Sequence, residues 1–126
     1  MDLLLDTHVF LWWDRSDSQL GEAAAAEIGD PANKVFISAA SVWEIAIKRQ
    51  SGRLAFARSP SQAIAENGFF ALPISGEHGE AAAGLPAIHK DPFDRILIAQ
   101  SIARDLVLVT ADDVIRQYAT PQLWAR

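Results

Sequence analysis

The chain has 126 residues, enough for one domain with a buried core, and its net charge is −5. Half of the residues are hydrophobic and 21% are charged, which excludes an intrinsically disordered chain. The absence of cysteine excludes disulfides, thiolate catalysis and cysteine-based zinc sites. The net charge also argues against a protein held on nucleic acid by bulk charge alone, unless several acids serve as metal ligands.

Short apolar runs alternate with helix-like segments along the chain. We predict strands at residues 3–5, 35–37, 69–74 and 106–109, with a last one near 123–124. Helices are predicted at residues 9–13, 19–28, 39–50, 59–66 and 75–85, then after Pro92 and again through Tyr118. This alternation predicts one α/β domain over residues 1–126, with a mainly parallel sheet covered on both faces. No segment predicts a signal peptide or a membrane span, so we expect a cytoplasmic protein.

The segment 89–100 carries the strongest local signal. Asp91 before Pro92 predicts a helix N-cap followed by proline at the first helical position. Asp94 then falls in the first turn and heads a largely apolar stripe that includes Leu97 and Ile98. A carboxylate on the stripe that faces the core is costly unless a cation meets it.

Four acids are expected to meet at one edge of the sheet, where ligands collect in folds of this kind. Asp6 ends the first strand, Glu44 lies in the helix after the second, Asp94 begins the helix before the last long strand, and Asp112 follows that strand. Asp113 beside it leaves open which of the two faces inward. Acids without matching cysteines or histidines suit a hard cation, Mg²⁺ or Mn²⁺. Without metal, their repulsion should raise at least one pKa.

Each acid also has a purely structural interpretation. Asp6 and Asp112 are each placed to cap a following helix, and Asp94 is placed to act as a capping or dipole residue at a helix start. Glu44 follows Ser41 by three residues, the spacing of a capping box, and precedes Lys48 by four, the spacing of a surface ion pair.

The densest basic stretch lies just beyond Glu44 and consists of Lys48, Arg49, Arg53 and Arg58. These residues are candidates for contacts with an RNA backbone, and a solvated helix end is the equally simple interpretation. His8 and His89 flank two of the acids without a partner at metal-ligand spacing.

The sequence resembles PIN-domain nucleases, and in particular VapC-type toxins of toxin–antitoxin pairs. The matching segments are residues 3–8, 37–45, 85–95 and 109–112, which follow the family order over nearly the whole chain. The resemblance implies a PIN-like three-layer fold with a central, mainly parallel sheet of four to five strands flanked by helices. It also implies a Mg²⁺- or Mn²⁺-dependent endoribonuclease that forms a homodimer and is inhibited by a small antitoxin.

Carried over residue by residue, the resemblance makes four acids both catalytic residues and metal ligands: Asp6, Glu44, Asp94 and Asp112. Supporting roles would fall to the hydroxyls of Thr7, Ser38 and Thr110, to Asp91 as a cap and second-choice ligand, and to Arg95. Arg95 would orient an acid, touch phosphate or form an ion pair.

Two other function classes remain as alternatives. A catalytically silent PIN-like binding module is disfavoured because all four acids are present. A receiver-type phosphoacceptor domain ranks lower, because the first strand ends in Asp-Thr-His and no lysine closes the late strand.

Overall fold

The structure, a computed structural model, describes residues 1–126. Its five strands form a single sheet in which every neighbouring pair is parallel. The strand order is β3-β2-β1-β4-β5. In chain order, the strands are β1 (Asp2–Leu5), β2 (Lys34–Ser38), β3 (Phe70–Leu72), β4 (Val107–Thr110) and β5 (Gln122–Trp124). The predicted α/β class with a parallel sheet is confirmed.

Six α-helices connect the strands, and a 3₁₀ turn (Ile115–Gln117) replaces the predicted helix through Tyr118. They are α1 (Thr7–Arg15), α2 (Glu22–Gly29), α3 (Ala39–Gln50), α4 (Pro60–Glu66), α5 (Gly76–Ala83) and α6 (Pro92–Arg104). None of them is long and apolar enough to cross a membrane.

The sheet is covered on both faces, because alternate residues of its central strand enter different cores. Leu3 and Leu5 belong to the larger core, to which α1 to α4 contribute. Leu4 belongs to the smaller core, with Leu97 and Ile98 of α6. The result is the expected three-layer arrangement.

The register of the central strands sets the position of the functional edge. Leu4 pairs with Phe36 on one side, and Leu5 pairs with Val109 on the other. Continued by two residues on the β2 side and by one on the β4 side, the same register places Asp6 level with the last residues of these strands, Ser38 and Thr110. Three polar side chains therefore end adjacent strands at one height.

The start of α6 agrees with its sequence signal. The Asp91 carboxylate accepts hydrogen bonds from the backbone N–H of Phe93 (2.8 Å) and of Asp94 (3.3 Å), and Pro92 occupies the first turn. This cap fixes where the helix begins, and with it the position of Asp94.

Gly21 permits a close crossing of two chain segments. Its N–H donates to the carbonyl of Ala125 (2.7 Å), and a Cβ at this position would lie 2.6 Å from the carbonyl carbon of Arg126. Residues 125–126 thus pack directly on the start of α2, and Ala125 is fully buried.

We expect Gly21→Ala to lower the free energy of unfolding by about 1–3 kcal/mol, the usual cost of overpacking, because backbone must move to admit the methyl group. Gly79→Ala is the matched control. Gly79 lies in α5 with nothing within 4 Å of the new Cβ, so this change should stabilise the chain by about 0.5–1 kcal/mol. Denaturant titration of both variants measures the difference, and equal effects would contradict the close crossing.

Candidate active site

A cleft of about 540 Å³ opens at the carboxyl edge of the sheet. Its lining is mainly polar, and carboxylates outnumber cations. The charged residues in it are Asp6, Glu44, Asp91, Asp94 and Asp112 on the acidic side and Lys48 and Arg126 on the basic side. The four acids predicted from the sequence therefore line one cleft.

Asp6 lies at the end of β1 and is only 5% exposed. Its backbone N–H continues the sheet by donating to the carbonyl of Val109 (3.0 Å), and its Oδ2 accepts a hydrogen bond from the Thr110 hydroxyl (2.8 Å). Asp6 occupies the N-cap position of α1, but its side chain is directed at Thr110 rather than forming a capping hydrogen bond. Burial raises the pKa of Asp6 above its ordinary value.

Glu44 is buried on α3, with its two oxygens in different situations. Oε2 lies 2.7 Å from Nζ of Lys48, so the predicted ion pair exists, but in the cleft rather than on an open surface. Oε1 is buried and has no hydrogen-bond partner. The capping box with Ser41 is absent, because Ser38 caps α3 and Ser41 accepts a hydrogen bond from Thr7 (2.8 Å). A carboxylate oxygen is thus left unsatisfied beside the other acids.

Asp94 has the most perturbed carboxyl group of the cleft. Burial, and then the negative charges of Asp6, Asp91, Glu44 and Asp112, raise its pKa to about 8. Its Oδ2 lies 2.9 Å from Nε2 of His89, on the loop before α6. Its position on the inner side of the helix agrees with the predicted stripe.

The structure distinguishes the two neighbouring acids after β4. Asp112 turns into the cleft, where its Oδ2 lies 3.3 Å from Nε2 of His89, and its Oδ1 accepts from the N–H of Val114 (2.7 Å). Asp113 is 89% exposed on its side chain and lies 4.0 Å from Arg116. Asp112 is therefore the inward residue, and it also caps the following turn.

The supporting residues divide into those that contact an acid and those that order the backbone. Thr110 contacts Asp6 and also accepts from the N–H of Asp112 (3.0 Å). The Thr7 hydroxyl instead donates to the Ser41 hydroxyl, which links α1 to α3. The Ser38 hydroxyl accepts from the N–H of Ala40 and caps α3. Of the three predicted hydroxyls, Thr110 alone touches one of the four acids.

Arg95 differs from its sequence interpretation. It forms no ion pair with an acid; its guanidinium donates to backbone carbonyls of the segment before α6. The acceptors are Ala82, Ala83, Leu85, Pro86 and His89. Arg95 therefore orders the loop that carries His89.

The basic stretch is only partly directed at the cleft. Arg49 donates to the carbonyls of Phe56 and Arg58 and lines neither the cleft nor the pocket beside it. Lys48 and Arg53 line a second pocket of about 310 Å³, to which Arg15 contributes. This basic pocket adjoins the acidic cleft, since His8, Trp12 and Lys48 line both. Sequence reasoning missed Arg15 and Arg126, because their spacing carries no motif.

The cleft fits a divalent cation. The unpartnered Oε1 of Glu44 and the raised pKa of Asp94 both indicate negative charge without enough compensation. Carboxylate oxygens form a donor set suited to a hard cation. Ligand atoms of His89, Asp94 and Asp112 also lie within 4.8 Å of one another, close enough to surround one ion.

An all-parallel three-layer fold with this cleft defines an α/β protein with a carboxylate-lined site at the sheet edge. The sequence model of the PIN domain matches residues 3–121, so the chain belongs to the PIN-domain family. Over 124 residues it is 31% identical to Ribonuclease VapC22 of Mycobacterium tuberculosis (strain ATCC 25618 / H37Rv), covering 95% of this chain and 94% of that protein.

Solved structures share the fold at low identity. A toxin–antitoxin complex from Klebsiella pneumoniae contains a chain with a TM-score of 0.69 at 17% identity, covering 98% of both chains. A chain of VapBC2 from Rickettsia felis, bound to a promoter DNA fragment, has a TM-score of 0.70 at 13% identity, and the match covers 98% of this chain and 99% of that one. A chain of FitAcB from Neisseria gonorrhoeae has a TM-score of 0.65 at 18% identity, and the match covers 99% of this chain and 98% of that one.

The pKa of Asp94 predicts how stability depends on pH in the presence of a chelator. Between the ordinary value of 3.8 and about 8, the folded chain holds a proton that the unfolded chain has released. Stability should therefore fall as pH rises through this window, and Asp94→Asn should reduce the slope. Denaturant titrations in EDTA at several pH values measure it. Asp113→Asn, at an exposed neighbouring acid, should keep the wild-type slope, and an unchanged slope in Asp94→Asn would contradict the assignment.

Proposed function

We propose that the chain is a metal-dependent endoribonuclease of the VapC type, the toxin of a toxin–antitoxin pair, with residues 1–126 as a single PIN-like nuclease domain. The observation that carries this proposal is the convergence of four acids in one cleft at the carboxyl edge of the sheet. Membership of the PIN-domain family and 31% identity to a protein named as a ribonuclease support RNA as the substrate.

The proposed metal ligands and catalytic residues are Asp6, Glu44, Asp94 and Asp112, and the proposed ion is Mg²⁺ or Mn²⁺. When bound, such an ion polarises a phosphodiester and makes water a better nucleophile. The protein's own contribution is to hold the acids in place. Thr110 fixes one oxygen of Asp6, and Lys48 neutralises one oxygen of Glu44 while leaving the other free.

We expect Asp6→Asn and Asp94→Asn to reduce RNA cleavage more than about 100-fold, beyond the 10–100-fold typical of residues that only support ligands. The assay uses purified chain separated from any partner, with Mg²⁺ or Mn²⁺ and with EDTA as the metal-free arm. Near-wild-type cleavage by either variant would contradict the site, and cleavage that survives EDTA would contradict the metal dependence.

Two matched changes test individual assignments. Asp113→Asn should leave cleavage unchanged, whereas Asp112→Asn should reduce it. Asp91→Asn preserves a good N-cap and should lose less activity than Asp94→Asn, because the cap is structural and Asp94 is the proposed ligand. A wild-type chain that binds metal and RNA without cleavage would favour the catalytically silent module instead.

We propose that the RNA backbone runs from the acidic cleft into the adjoining basic pocket. Arg15, Lys48 and Arg53 supply positive charge there, next to the proposed metal site. Phosphates flanking the cleaved bond would meet cations in this pocket, which offsets the overall negative charge of the chain.

Arg15→Gln and Arg53→Gln should weaken RNA binding. The salt dependence is the slope of the logarithm of the binding constant against the logarithm of the salt concentration, and its magnitude should fall by about 1 for each lost phosphate contact. Arg104→Gln is the matched control, because this exposed arginine ends α6 at the opposite edge of the sheet. Binding of a non-cleavable RNA analogue at several salt concentrations measures the slopes. Equal slopes for Arg53→Gln and Arg104→Gln would contradict the path.

We further propose a small antitoxin as the partner, as in the complexes that share this fold, with a basic side chain entering the acidic cleft.

A homodimer is proposed on the exposed aromatic face of α3 and α6. Trp43 is 62% exposed, packs edge-on against Phe93 (5.2 Å) and lies one turn from the half-exposed Ile47. By its resemblance to VapC ribonucleases, we place its action in the cytoplasm.

A further inference from the structure

His89 lies between two of the proposed metal ligands. Its Nε2 is 2.9 Å from Oδ2 of Asp94 and 3.3 Å from Oδ2 of Asp112, and its side chain is largely buried. A cation in the cleft would approach the same two carboxylates. The side chain is therefore either a ligand to that cation or a donor to the ligands.

The opposite side of the ring distinguishes these roles. The backbone N–H of Asp91 donates to Nδ1 of His89 (3.2 Å), so Nδ1 carries no proton. A neutral imidazole then has its proton on Nε2, which hydrogen-bonds Oδ2 of Asp112 (3.3 Å) and lies 2.9 Å from Oδ2 of Asp94. The tautomer is fixed by a backbone group whose position is itself set by the cap of α6.

Metal coordination through Nε2 requires the other tautomer. A ligating histidine uses the lone pair of one nitrogen and donates a proton from the other, commonly to a carboxylate or a carbonyl. Here Nδ1 faces an N–H, so a proton on Nδ1 would meet another donor. The spacing of His89, Asp94 and Asp112 permits coordination, but the hydrogen bonding opposes it.

The backbone of His89 is held independently of its side chain. Its N–H donates to the hydroxyl of Tyr118 (2.6 Å), and its carbonyl accepts from Arg95 (3.0 Å). Tyr118 in turn donates to the carbonyl of Pro86 (2.8 Å). The ring is thus presented to the acids by a fixed loop.

We propose that His89 is a positioning residue whose Nε2–H donates to Asp112, in close contact with Asp94, and stays outside the ligand set, leaving an all-oxygen cation site. The inference rests on the proposed metal site. An all-oxygen site favours Mg²⁺ and Mn²⁺, whereas an imidazole ligand would shift preference towards Zn²⁺.

Two-bond ¹H–¹⁵N spectra of the full chain test the tautomer directly, in EDTA and then with Mg²⁺. We expect a protonated Nε2 and an unprotonated Nδ1 at His89 in both states, assigned by the loss of its signals in His89→Gln. His78 is an internal reference, because its Nδ1 accepts from the N–H of Ser75 (3.0 Å). Transfer of the proton to Nδ1 on adding Mg²⁺ would overturn the proposal.

Metal affinity gives a second measurement by calorimetry with Mg²⁺ or Mn²⁺. His89→Ala should weaken binding about 10–100-fold, the usual cost of losing a group that orients a ligand. His89→Gln keeps an N–H donor and should therefore retain most of the metal affinity that His89→Ala loses. Both variants keep the backbone hydrogen bonds of the loop. Equal loss in both would contradict a donor role. Neither readout requires cleavage, so intact metal binding without ribonuclease activity would reject the proposed function and leave this inference standing.

Discussion

The burial of Asp6 at the end of the central strand is the constraint on which the rest of the site depends. Its N–H belongs to the sheet, so its backbone is fixed at the end of the β1–β4 ladder, and the Thr110 hydroxyl holds one carboxylate oxygen. A carboxylate buried in this way is stable only with donors or cations around it. Thr110 supplies one donor, and the neighbouring acids make the deficit larger rather than smaller. A bound cation would relieve the deficit that the fold imposes.

Different interactions, a helix cap and side-chain bonds to a loop, place the remaining acids beside Asp6. The Asp91 cap sets the first turn of α6 and thereby the depth of Asp94. The loop before α6 is held by Arg95 and Tyr118, whose partners are mostly backbone carbonyls. Side chains outside the four-acid cluster thus determine the geometry of the carboxylates, and much of the polar bonding near the cleft serves to order one loop.

The strands and the acid cluster were predictable because their signals are local. Apolar runs end at Asp6 and before Asp112, and the Asp-Pro pair marks the start of α6. The roles of Arg95 and His89 were not predictable, since backbone carbonyls and N–H groups leave no trace in residue identity. The predicted stripe behind Asp94 is buried at Leu97 and Ile98, and Ser101 is buried too, whereas Ile102 in the next turn is 47% exposed.

The same residues explain how an acidic chain could act on a polyanion. Its excess negative charge is concentrated in the cleft, where burial and then the neighbouring acids raise the pKa of Asp94 to about 8. A divalent cation would offset most of that negative charge, and the basic pocket begins directly beside it. The bulk charge of −5 therefore says little about affinity for RNA, because the interaction depends on local charge within about one Debye length, roughly 8–10 Å.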